Sequence, residues 1–385
     1  MILEYGGKNC WSFKEWLHID MGINKNVPKE YGFGDAPAVP IMCFEGANAS
    51  GKSCALRVLN FICDFCWNSF NYLPNGNILY NTFFNNQDKS EFIITFAFPE
   101  KLNTVYTYEV VMDTKKVYSE IIYTKEDNKR KVIIKRVDNR VTINHLYENS
   151  KIILRNNASV VSTLRQYGIK EIAPFYDFFQ RITSNVTYIS TNSDPKDVEG
   201  QFYYEHPEIL KSFVVPQIKR FDTGIKDIKI KKITDENNKD YYLSWFIHET
   251  EQEDKELPYF SQSTGTQCLY TCLKDVYLAL STGGVMVFDE LDCHLHYLIT
   301  RELLDLFMDT SINKKHAQLI FTSHSPYLLD FAKKYRSYLF NKEHGESFCY
   351  RIDEIKEKDL LRNDRSLEPI YKSGLIGGIP NVKKN

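Results

Sequence analysis

The sequence predicts an α/β protein with a mixed central sheet, an antiparallel β lobe and a mainly helical insertion. An apolar run at residues 39–44 is followed by a glycine-containing loop and then by a long, dense apolar pattern typical of a buried helix. Farther along, apolar strands at residues 285–288 and 318–322 alternate with helical patterns at residues 266–280 and 296–308. Strands that alternate with helices indicate a parallel sheet covered by helices.

The β lobe is predicted from residues 91–145. Short runs rich in β-branched and aromatic residues follow one another there and are separated by polar turns, which indicates an antiparallel meander. The four strand candidates cover residues 91–98, 105–111, 117–123 and 131–137.

The remaining middle of the chain is predicted to be mainly helical. Helical pieces alternate there with polar loops, and no heptad repeat persists, so a long coiled coil is not expected. We therefore divide the chain into an N-terminal half at residues 1–145, an insertion at residues 146–220 and a C-terminal half at residues 221–385.

Composition places few constraints on partners. The 385 residues include 48 Lys plus Arg and 50 Asp plus Glu, a formal net charge of −2, which gives no global case for a nucleic-acid or membrane binder. No uncharged apolar run reaches the ~18–20 residues that span a bilayer, and no signal peptide is visible. We expect a soluble cytoplasmic protein whose nine scattered cysteines are mostly core residues, including the lone CxxC pair Cys63 and Cys66.

A phosphate-binding loop is predicted at residues 46–53, which match the pattern G-x-x-x-x-G-K-[ST] in full. The glycines let successive backbone N–H groups point at phosphate oxygens. Lys52 would reach the β- and γ-phosphates of a nucleotide, and the Ser53 hydroxyl would ligate Mg²⁺. The alternative is an ordinary glycine-rich turn, but the strand before the loop and the helix after it favour the phosphate site.

An acidic pair follows the apolar strand at residues 285–288. A buried strand that ends in Asp289 and Glu290 would deliver two carboxylates to one edge of the sheet. Asp289 would hold Mg²⁺ and Glu290 would act as general base toward water. The alternative is a strand followed by a surface acidic turn, which the phosphate loop makes the weaker interpretation.

Two further elements point to the γ-phosphate end of a nucleotide. Residues 263–267, in the form Ser-x-Gly-x-Gln, open a predicted helix and would make an anion site at its N-terminus, although a plain helix cap is the alternative. His324 follows the strand at residues 318–322, where a parallel sheet would present it to a ligand; a structural histidine is the alternative.

These four elements occur in the order typical of ABC-type ATPases of the SMC, RecF and OLD groups, which the chain resembles. Residues 289–296 resemble the Asp-Glu-x-x-x-x-Leu-His form of the OLD-like and RecF-like members, and residues 221–225 and 362–380 are similar to segments of that group. The resemblance implies a P-loop ABC-type ATPase head, closest to the ATPase component of bacterial anti-phage, or abortive-infection, systems. It also implies that residues 263–267 complete the site of a partner subunit and that His324 senses the γ-phosphate.

The resemblance therefore implies ATP as substrate, Mg²⁺ as cofactor and a homodimer or higher oligomer closed through ATP, acting beside a separate nuclease or toxin effector. The catalytic residues would be Lys52, Glu290 and His324. Nucleotide would be bound by Gly46, Asn48, Ala49, Ser50, Gly51, Lys52, Ser53, Cys54, Ser263, Gly265 and Gln267. Mg²⁺ would be held by Ser53, Asp289 and, as the Q-loop candidate, Gln87, for which a polar loop residue is the alternative.

Two other functions stay open. One is a RecF- or SMC-like DNA-repair or DNA-loading ATPase, although the missing coiled coil counts against SMC; the other is a scaffold that binds ATP but barely hydrolyses it. OLD proteins proper carry a Toprim nuclease, and because no matching acidic cluster follows the ATPase part, we expect no intrinsic nuclease activity. DNA remains a candidate partner through a basic groove, for which a solvated face is the alternative. Its candidate residues are Lys211, Lys219, Arg220, Lys226, Lys229, Lys231 and Lys232.

Overall fold

The computed structural model describes residues 1–23, 27–126, 129–143, 147–148, 152–186, 198–221, 224–357 and 359–380. Its strands form three sheets. In chain order they are β1 (Ile2–Lys8), β2 (Leu17–Asp20), β3 (Ile41–Gly46), β4 (Ser90–Phe98), β5 (Lys101–Met112), β6 (Val117–Glu126), β7 (Lys129–Val137), β8 (Arg140–Ile143), β9 (Tyr147–Glu148), β10 (Ile182–Ser184), β11 (Ile225–Thr234), β12 (Asp240–His248), β13 (Lys255–Pro258), β14 (Val285–Phe288), β15 (Gln318–Thr322), β16 (Ser337–Glu343) and β17 (Glu346–Arg351).

The helices cover both faces of the central sheet. They are α1 (Lys52–Asn68), α2 (Val160–Gln166), α3 (Ala173–Gln180), α4 (Val198–Glu205), α5 (Pro207–Ile209), α6 (Val215–Phe221), α7 (Thr264–Thr282), α8 (Tyr297–Met308), α9 (Tyr327–Ala332) and α10 (Leu367–Lys372). A π-helical turn, Leu210–Val214, joins α5 to α6.

The central sheet has the strand order β10-β14-β15-β3-β16-β17. Its first five strands are parallel and β17 returns antiparallel along β16, so the predicted mixed sheet is confirmed. Thr322 at the end of β15 pairs with Phe44 of β3, and Gly46 at the end of β3 pairs with Phe340 of β16. The carboxyl ends of these parallel strands therefore meet at one edge, which is where α/β proteins place their ligands.

The antiparallel lobe is an eight-stranded sheet in the order β2-β1-β4-β5-β6-β7-β8-β9. The predicted meander is confirmed: β4 to β9 follow one another as antiparallel neighbours. The first strand of the chain, β1, joins this lobe through β4 instead of the central sheet. A separate three-stranded antiparallel sheet, β11-β12-β13, precedes α7.

The predicted insertion is helical but contributes to the central sheet. Its strand β10 lies parallel to β14, with Ile182 opposite Val285 and Ser184 opposite Val287. Its helices α2 and α3 pack on α1, and Phe178 of α3 stacks on Phe96 of the lobe strand β4. These contacts join the insertion to both halves of the chain and do not separate it as a unit. The domain boundaries after residues 145 and 220 therefore stay a prediction.

Two large cores lie on opposite faces of the central sheet, because neighbouring strand residues point to opposite faces. In β3, Met42 and Phe44 join the core shared with α1 and the lobe, whereas Ile41 and Cys43 join the core shared with α7 and α8. Cys63 and Cys66 are buried and unpaired in the first core, which agrees with the predicted packing role. Within the described ranges, no helix is long and apolar enough to cross a membrane.

Candidate nucleotide site

The loop at residues 46–53 connects β3 to α1 at the carboxyl edge of the central sheet. Gly51, the residue before α1, has a φ of 114°, a conformation that L side chains rarely adopt. A Cβ on Gly51 would lie 2.6 Å from Ser347 Oγ, and one on Gly46 would lie 2.6 Å from the Phe340 carbonyl oxygen. The strands β16 and β17 therefore pack directly behind the loop, and both glycines are required for its path.

The side chain of Lys52 is bound to the backbone of the loop. Its Nζ donates hydrogen bonds to the carbonyl oxygens of Gly46, at 2.7 Å, and Ala47, at 3.2 Å. Burial lowers the pKa of Lys52 below its ordinary value, while the nearby acidic residues Glu45 and Asp289 act in the opposite direction. Ser50 Oγ is buried and lacks a hydrogen-bond partner among the described residues. The Lys52 side chain thus folds back over the loop, and the buried Ser50 hydroxyl is left without a partner. Both features suit a loop that binds an anionic ligand.

The acidic strand end is joined to this loop by hydrogen bonds. Asp289 Oδ1 accepts from Ser53 Oγ at 3.1 Å and from Thr322 Oγ1 at 2.6 Å. Asn185 fixes the backbone of the same residue: its Oδ1 accepts from Asp289 N at 2.7 Å, and its Nδ2 donates to Asp289 O at 3.0 Å. Three elements thus hold one carboxylate beside the Ser53 hydroxyl.

Glu290 and His324 lie at the mouth of the site. Glu290 has a φ of 55°, and its N–H donates to Thr322 Oγ1 at 2.7 Å. A left-handed, non-glycine residue at a strand end is a strained position of the kind that clusters at functional sites. Glu290 Oε1 lies 4.0 Å from His324 Nε2, and His324 N donates to Asp292 Oδ2 at 3.1 Å. Both side chains are partly exposed and therefore accessible to a ligand.

A cleft of about 420 Å³ collects these groups. Most of the predicted residues line it: Asn48, Ala49, Ser50, Gly51, Lys52, Ser53, Cys54, Asp289, Glu290 and His324. Sequence reasoning missed three further lining residues, Ser12, Arg57 and Lys342. Lys342 lies past Phe340, the residue paired with Gly46, so the register of β16 brings it beside the phosphate loop.

The donor set beside Ser53 fits Mg²⁺ with ATP. Among the described residues, no group of three or more His, Cys, Asp or Glu side chains could hold a metal without other ligands. Mg²⁺ is usually held by one or two carboxylates and by phosphate oxygens instead of a cage made of protein alone. The Ser53 hydroxyl and the Asp289 carboxylate, at 3.1 Å from each other, are oxygen ligands of that kind.

The predicted signature lies elsewhere on the protomer. Ser263 caps α7, and its Oγ accepts from Thr266 N at 3.1 Å, so the helix-cap interpretation holds for its local structure. A Cβ on Gly265 would meet the His294 carbonyl oxygen at 2.8 Å, and Gln267 Nε2 donates to Gln262 O at 3.0 Å. None of Ser263, Gly265 and Gln267 lines the 420 Å³ cleft.

Gln87 is not brought to the cleft. It lines a different pocket, of about 480 Å³, between the segment after α1 and Thr114. Because this pocket is separate from the cleft that contains Ser53 and Asp289, the geometry does not support Gln87 as a ligand of Mg²⁺. Asp222 and Thr223, in the segment similar to RecF-like and OLD-like proteins, lie outside the described residues.

Comparison with known families decides the class of protein. Residues 41–330, three quarters of the chain, match the family described as "AAA domain, putative AbiEii toxin, Type IV TA system". The chain belongs to this AAA family. The predicted class, an AAA-like ATPase of the kind associated with abortive infection, is confirmed by this match. No curated protein matches the chain.

Several solved structures are similar to this AAA family member. The SMC head domain from Thermotoga maritima is 13% identical, with 91% of this chain and 98% of that chain covered and a TM-score of 0.43. An SMC head bound to the C-terminal winged-helix domain of ScpA is 14% identical, with 92% and 98% covered and a TM-score of 0.46. CbiO1 from Clostridium perfringens, part of an ABC transporter complex, is 12% identical, with 97% and 95% covered and a TM-score of 0.36.

Proposed function

We propose that this protein binds and hydrolyses ATP with Mg²⁺ and uses the reaction as a molecular switch. The observation that carries the proposal is the hydrogen-bonded group formed by Ser53, Asp289 and Thr322. It joins the loop that would hold the phosphates to the strand end that carries Glu290. A triphosphate bound to the loop would therefore be linked through these hydrogen bonds to the strand end that carries the general base.

The chain's own residues have separable tasks in this proposal. Lys52 and the loop N–H groups bind the β- and γ-phosphates, and Ser53 with Asp289 would hold Mg²⁺, which supplies positive charge against the triphosphate. The Glu290 carboxylate accepts a proton from the attacking water, and its backbone is fixed by the bond to Thr322. His324, whose Nε2 lies 4.0 Å from Glu290 Oε1, would bond to the γ-phosphate.

We further propose that two protomers close around two ATP molecules. Ser263 is exposed at the N-terminus of α7, outside the cleft of its own protomer. A helix N-terminus that carries a hydroxyl group is a suitable anion site for the γ-phosphate bound by another copy. Gly265 keeps this site close to the loop at His294, so α7 and the loop after β14 would move together.

The biological role we propose is that of the ATPase and sensor subunit of an anti-phage defence system. The family description, which names an AbiEii toxin and a type IV toxin–antitoxin system, supports this setting. ATP-dependent closure or opening of the dimer would then control a separate nuclease or toxin effector.

The alternative role, a RecF- or SMC-like DNA-loading ATPase, needs a basic surface for the phosphate backbone. Most of the candidate residues are paired with carboxylates: Lys211 bonds to Asp227, Lys226 to Asp254, Lys232 to Asp240 and Arg220 to Glu302, while Lys229 and Lys231 share Glu256. These ion pairs favour the interpretation that the basic residues form a solvent-exposed face. We therefore expect duplex DNA to leave ATP turnover unchanged. A severalfold stimulation that is lost in Lys229→Glu would favour the alternative.

The test of the proposed activity is ATP turnover with Mg²⁺ for the wild-type chain and for Glu290→Gln. Removing a general base typically costs about 10²–10⁴-fold in rate, so we expect at least a hundredfold loss. Glu236→Gln, a change at an exposed acid distant in sequence from every site residue, should turn over ATP like the wild type. Equal turnover in all three proteins would overturn the role of Glu290.

A further inference from the structure

A second cavity, of about 280 Å³, adjoins the phosphate cleft. The two share three lining residues, Ser12, Cys54 and Lys342, so a ligand that begins on the phosphate loop can continue into this cavity. Its far side is lined by three aromatic rings, those of Trp11, Phe83 and Phe84. Neither the motifs nor the mechanism described above uses these rings.

Phe84 is held outward by an unusual backbone conformation. It is 75% exposed, which is uncommon for so large an apolar side chain. Phe84 and Asn85 both have positive φ, 48° and 56°, a conformation that is strained for bulky residues and clusters at ligand-binding segments. The turn is fixed by hydrogen bonds from Asn85 N to Thr82 O, at 3.1 Å, and from Thr82 Oγ1 to Asn86 O, at 2.8 Å.

The ring of Phe84 lies close to the opposite wall of the cavity. A Cβ on Gly345, in the turn between β16 and β17, would lie 3.1 Å from Phe84 Cζ. The Phe83 ring centroid lies 4.6 Å from that of Phe84, in an edge-to-face arrangement. On the inner side, Trp11 is nearly buried, and its backbone N–H donates to Asn81 O at 2.8 Å. The aromatic turn is therefore supported from several sides before any ligand arrives.

The charge of the lining selects the chemistry of the occupant. Lys342, at the junction with the phosphate cleft, is the charged side chain among the residues that line this cavity. The rest of the lining is aromatic or neutral, which suits a flat, uncharged ring and does not suit further phosphate groups. The exposed side-chain amides of Asn81 and Asn85 make no hydrogen bond to any described residue and can pair with the edge of such a ring.

We propose that this cavity holds the base of the nucleoside triphosphate, with Phe84 stacking on the base and Lys342 beside the α-phosphate. The inference rests on the proposed function, because it takes the triphosphate to lie on the Lys52 loop. It adds a binding residue that the phosphate motifs do not contain. Binding of the base and binding of the phosphates should then depend on different residues, Phe84 and Lys52.

The experiment compares two ligands, ATP and inorganic tripolyphosphate, by calorimetric titration of the full chain in Mg²⁺. Stacking of a base on an aromatic side chain contributes enough that its loss weakens binding roughly tenfold or more. Phe84→Ala should therefore bind ATP about tenfold more weakly and bind tripolyphosphate like the wild type. Lys52→Ala should lose affinity for both ligands. Ile153→Ala removes another highly exposed apolar side chain, 76% exposed, and should bind both normally.

The outcomes distinguish the inference from the function on which it rests. Wild-type ATP affinity in Phe84→Ala, with both ligands lost in Lys52→Ala, would refute the base site and leave the phosphate site standing. Equal weakening of both ligands in Phe84→Ala would mean that the ring only supports the β16–β17 turn, which contradicts the proposal. Unchanged affinities in Lys52→Ala would instead contradict the proposed function. Because Phe84 is exposed, its removal should leave the thermal unfolding temperature unchanged, which can be checked on the same samples.

Discussion

Ser53 and Asp289 are 236 positions apart in the chain, and their side chains are joined by a hydrogen bond of 3.1 Å. The first residue belongs to the start of α1 and the second follows β14. The bond exists because β14, β15 and β3 are parallel neighbours whose carboxyl ends share one edge. This contact joins the phosphate loop to the acidic end of β14.

Thr322 is predicted to be a positioning residue for this site. Its buried hydroxyl bonds both to Asp289 Oδ1 and to Glu290 N, so Thr322→Val removes two contacts without changing the shape of the side chain. Hydrogen bonds to charged groups are worth about 1.5–3 kcal/mol, so ATP turnover should fall roughly ten- to hundredfold. Steady-state kinetics should show the loss mainly in kcat.

Thr300 supplies a matched control for that change. It is equally buried, but its hydroxyl has no hydrogen-bond partner among the described residues. Removing an unsatisfied buried hydroxyl is expected to be neutral or stabilising, so Thr300→Val should retain turnover and should not lower the unfolding temperature. If Thr322→Val behaved like Thr300→Val, the positioning role would be wrong.

Gly265 is predicted to contribute to hydrolysis of the ATP bound by the partner protomer and not to ATP binding by its own protomer. A Cβ there would lie 2.8 Å from the His294 carbonyl oxygen, closer than real contacts allow, so Gly265→Ala must displace α7 or the loop after β14. ATP affinity should stay within about twofold of wild type, because the cleft residues are untouched, whereas turnover should fall about tenfold or more. Equilibrium binding and turnover measured on the same sample separate the two effects. A large loss of ATP affinity would place the signature in its own protomer's site.

Glu45, directly before the phosphate loop, predicts a pH dependence of stability. Burial raises the pKa of its carboxyl from the ordinary 4.5 to about 8, since the side chain is enclosed and Asp292 lies nearby. The folded chain therefore holds a proton that the unfolded chain releases above pH 4.5, and stability falls as pH rises toward 8. Each pH unit in this window costs up to about 1.4 kcal/mol.

Replacing Glu45 by Gln should remove that contribution. Denaturant unfolding at pH 5, 6.5 and 8 should show a smaller loss of stability with pH in Glu45→Gln than in the wild type. Glu91→Gln, at an exposed residue of the lobe, should keep the wild-type slope. Identical slopes for the wild type and Glu45→Gln would contradict a protonated Glu45 in the folded chain.

The parts of the site that lie on continuous apolar strands could be predicted from the sequence. Val285–Phe288 and Gln318–Thr322 occur as predicted, because both strands are fully buried and each contains a continuous apolar run, 285–288 and 319–321. The phosphate loop follows from its glycine spacing, which few other structures require. The residues themselves therefore predicted the fold class and the acidic edge.

The sequence does not predict contacts that are created only by tertiary pairing. Asn185, which holds the backbone of Asp289, directly follows a strand of only three residues, Ile182–Ser184. The place of that strand is set by its pairing with β14 and not by any sequence pattern of its own. A polar residue after the first helix predicts Gln87 as the Q-loop residue, but Gln87 lines a different pocket from the phosphate cleft. The exposure of Phe84 could not be predicted, because an exposed phenylalanine cannot be distinguished from a buried one in a single sequence.

The most direct test of the account is the solution mass of Glu290→Gln with and without ATP and Mg²⁺, measured by light scattering after gel filtration. We predict a shift from one chain of 45.1 kDa to twice that mass on addition of ATP. The double variant that also carries Lys52→Ala should stay at the mass of one chain. A mass of Glu290→Gln that does not respond to ATP would contradict the nucleotide-sandwich dimer, and the role given to Ser263, Gly265 and Gln267 would fall first.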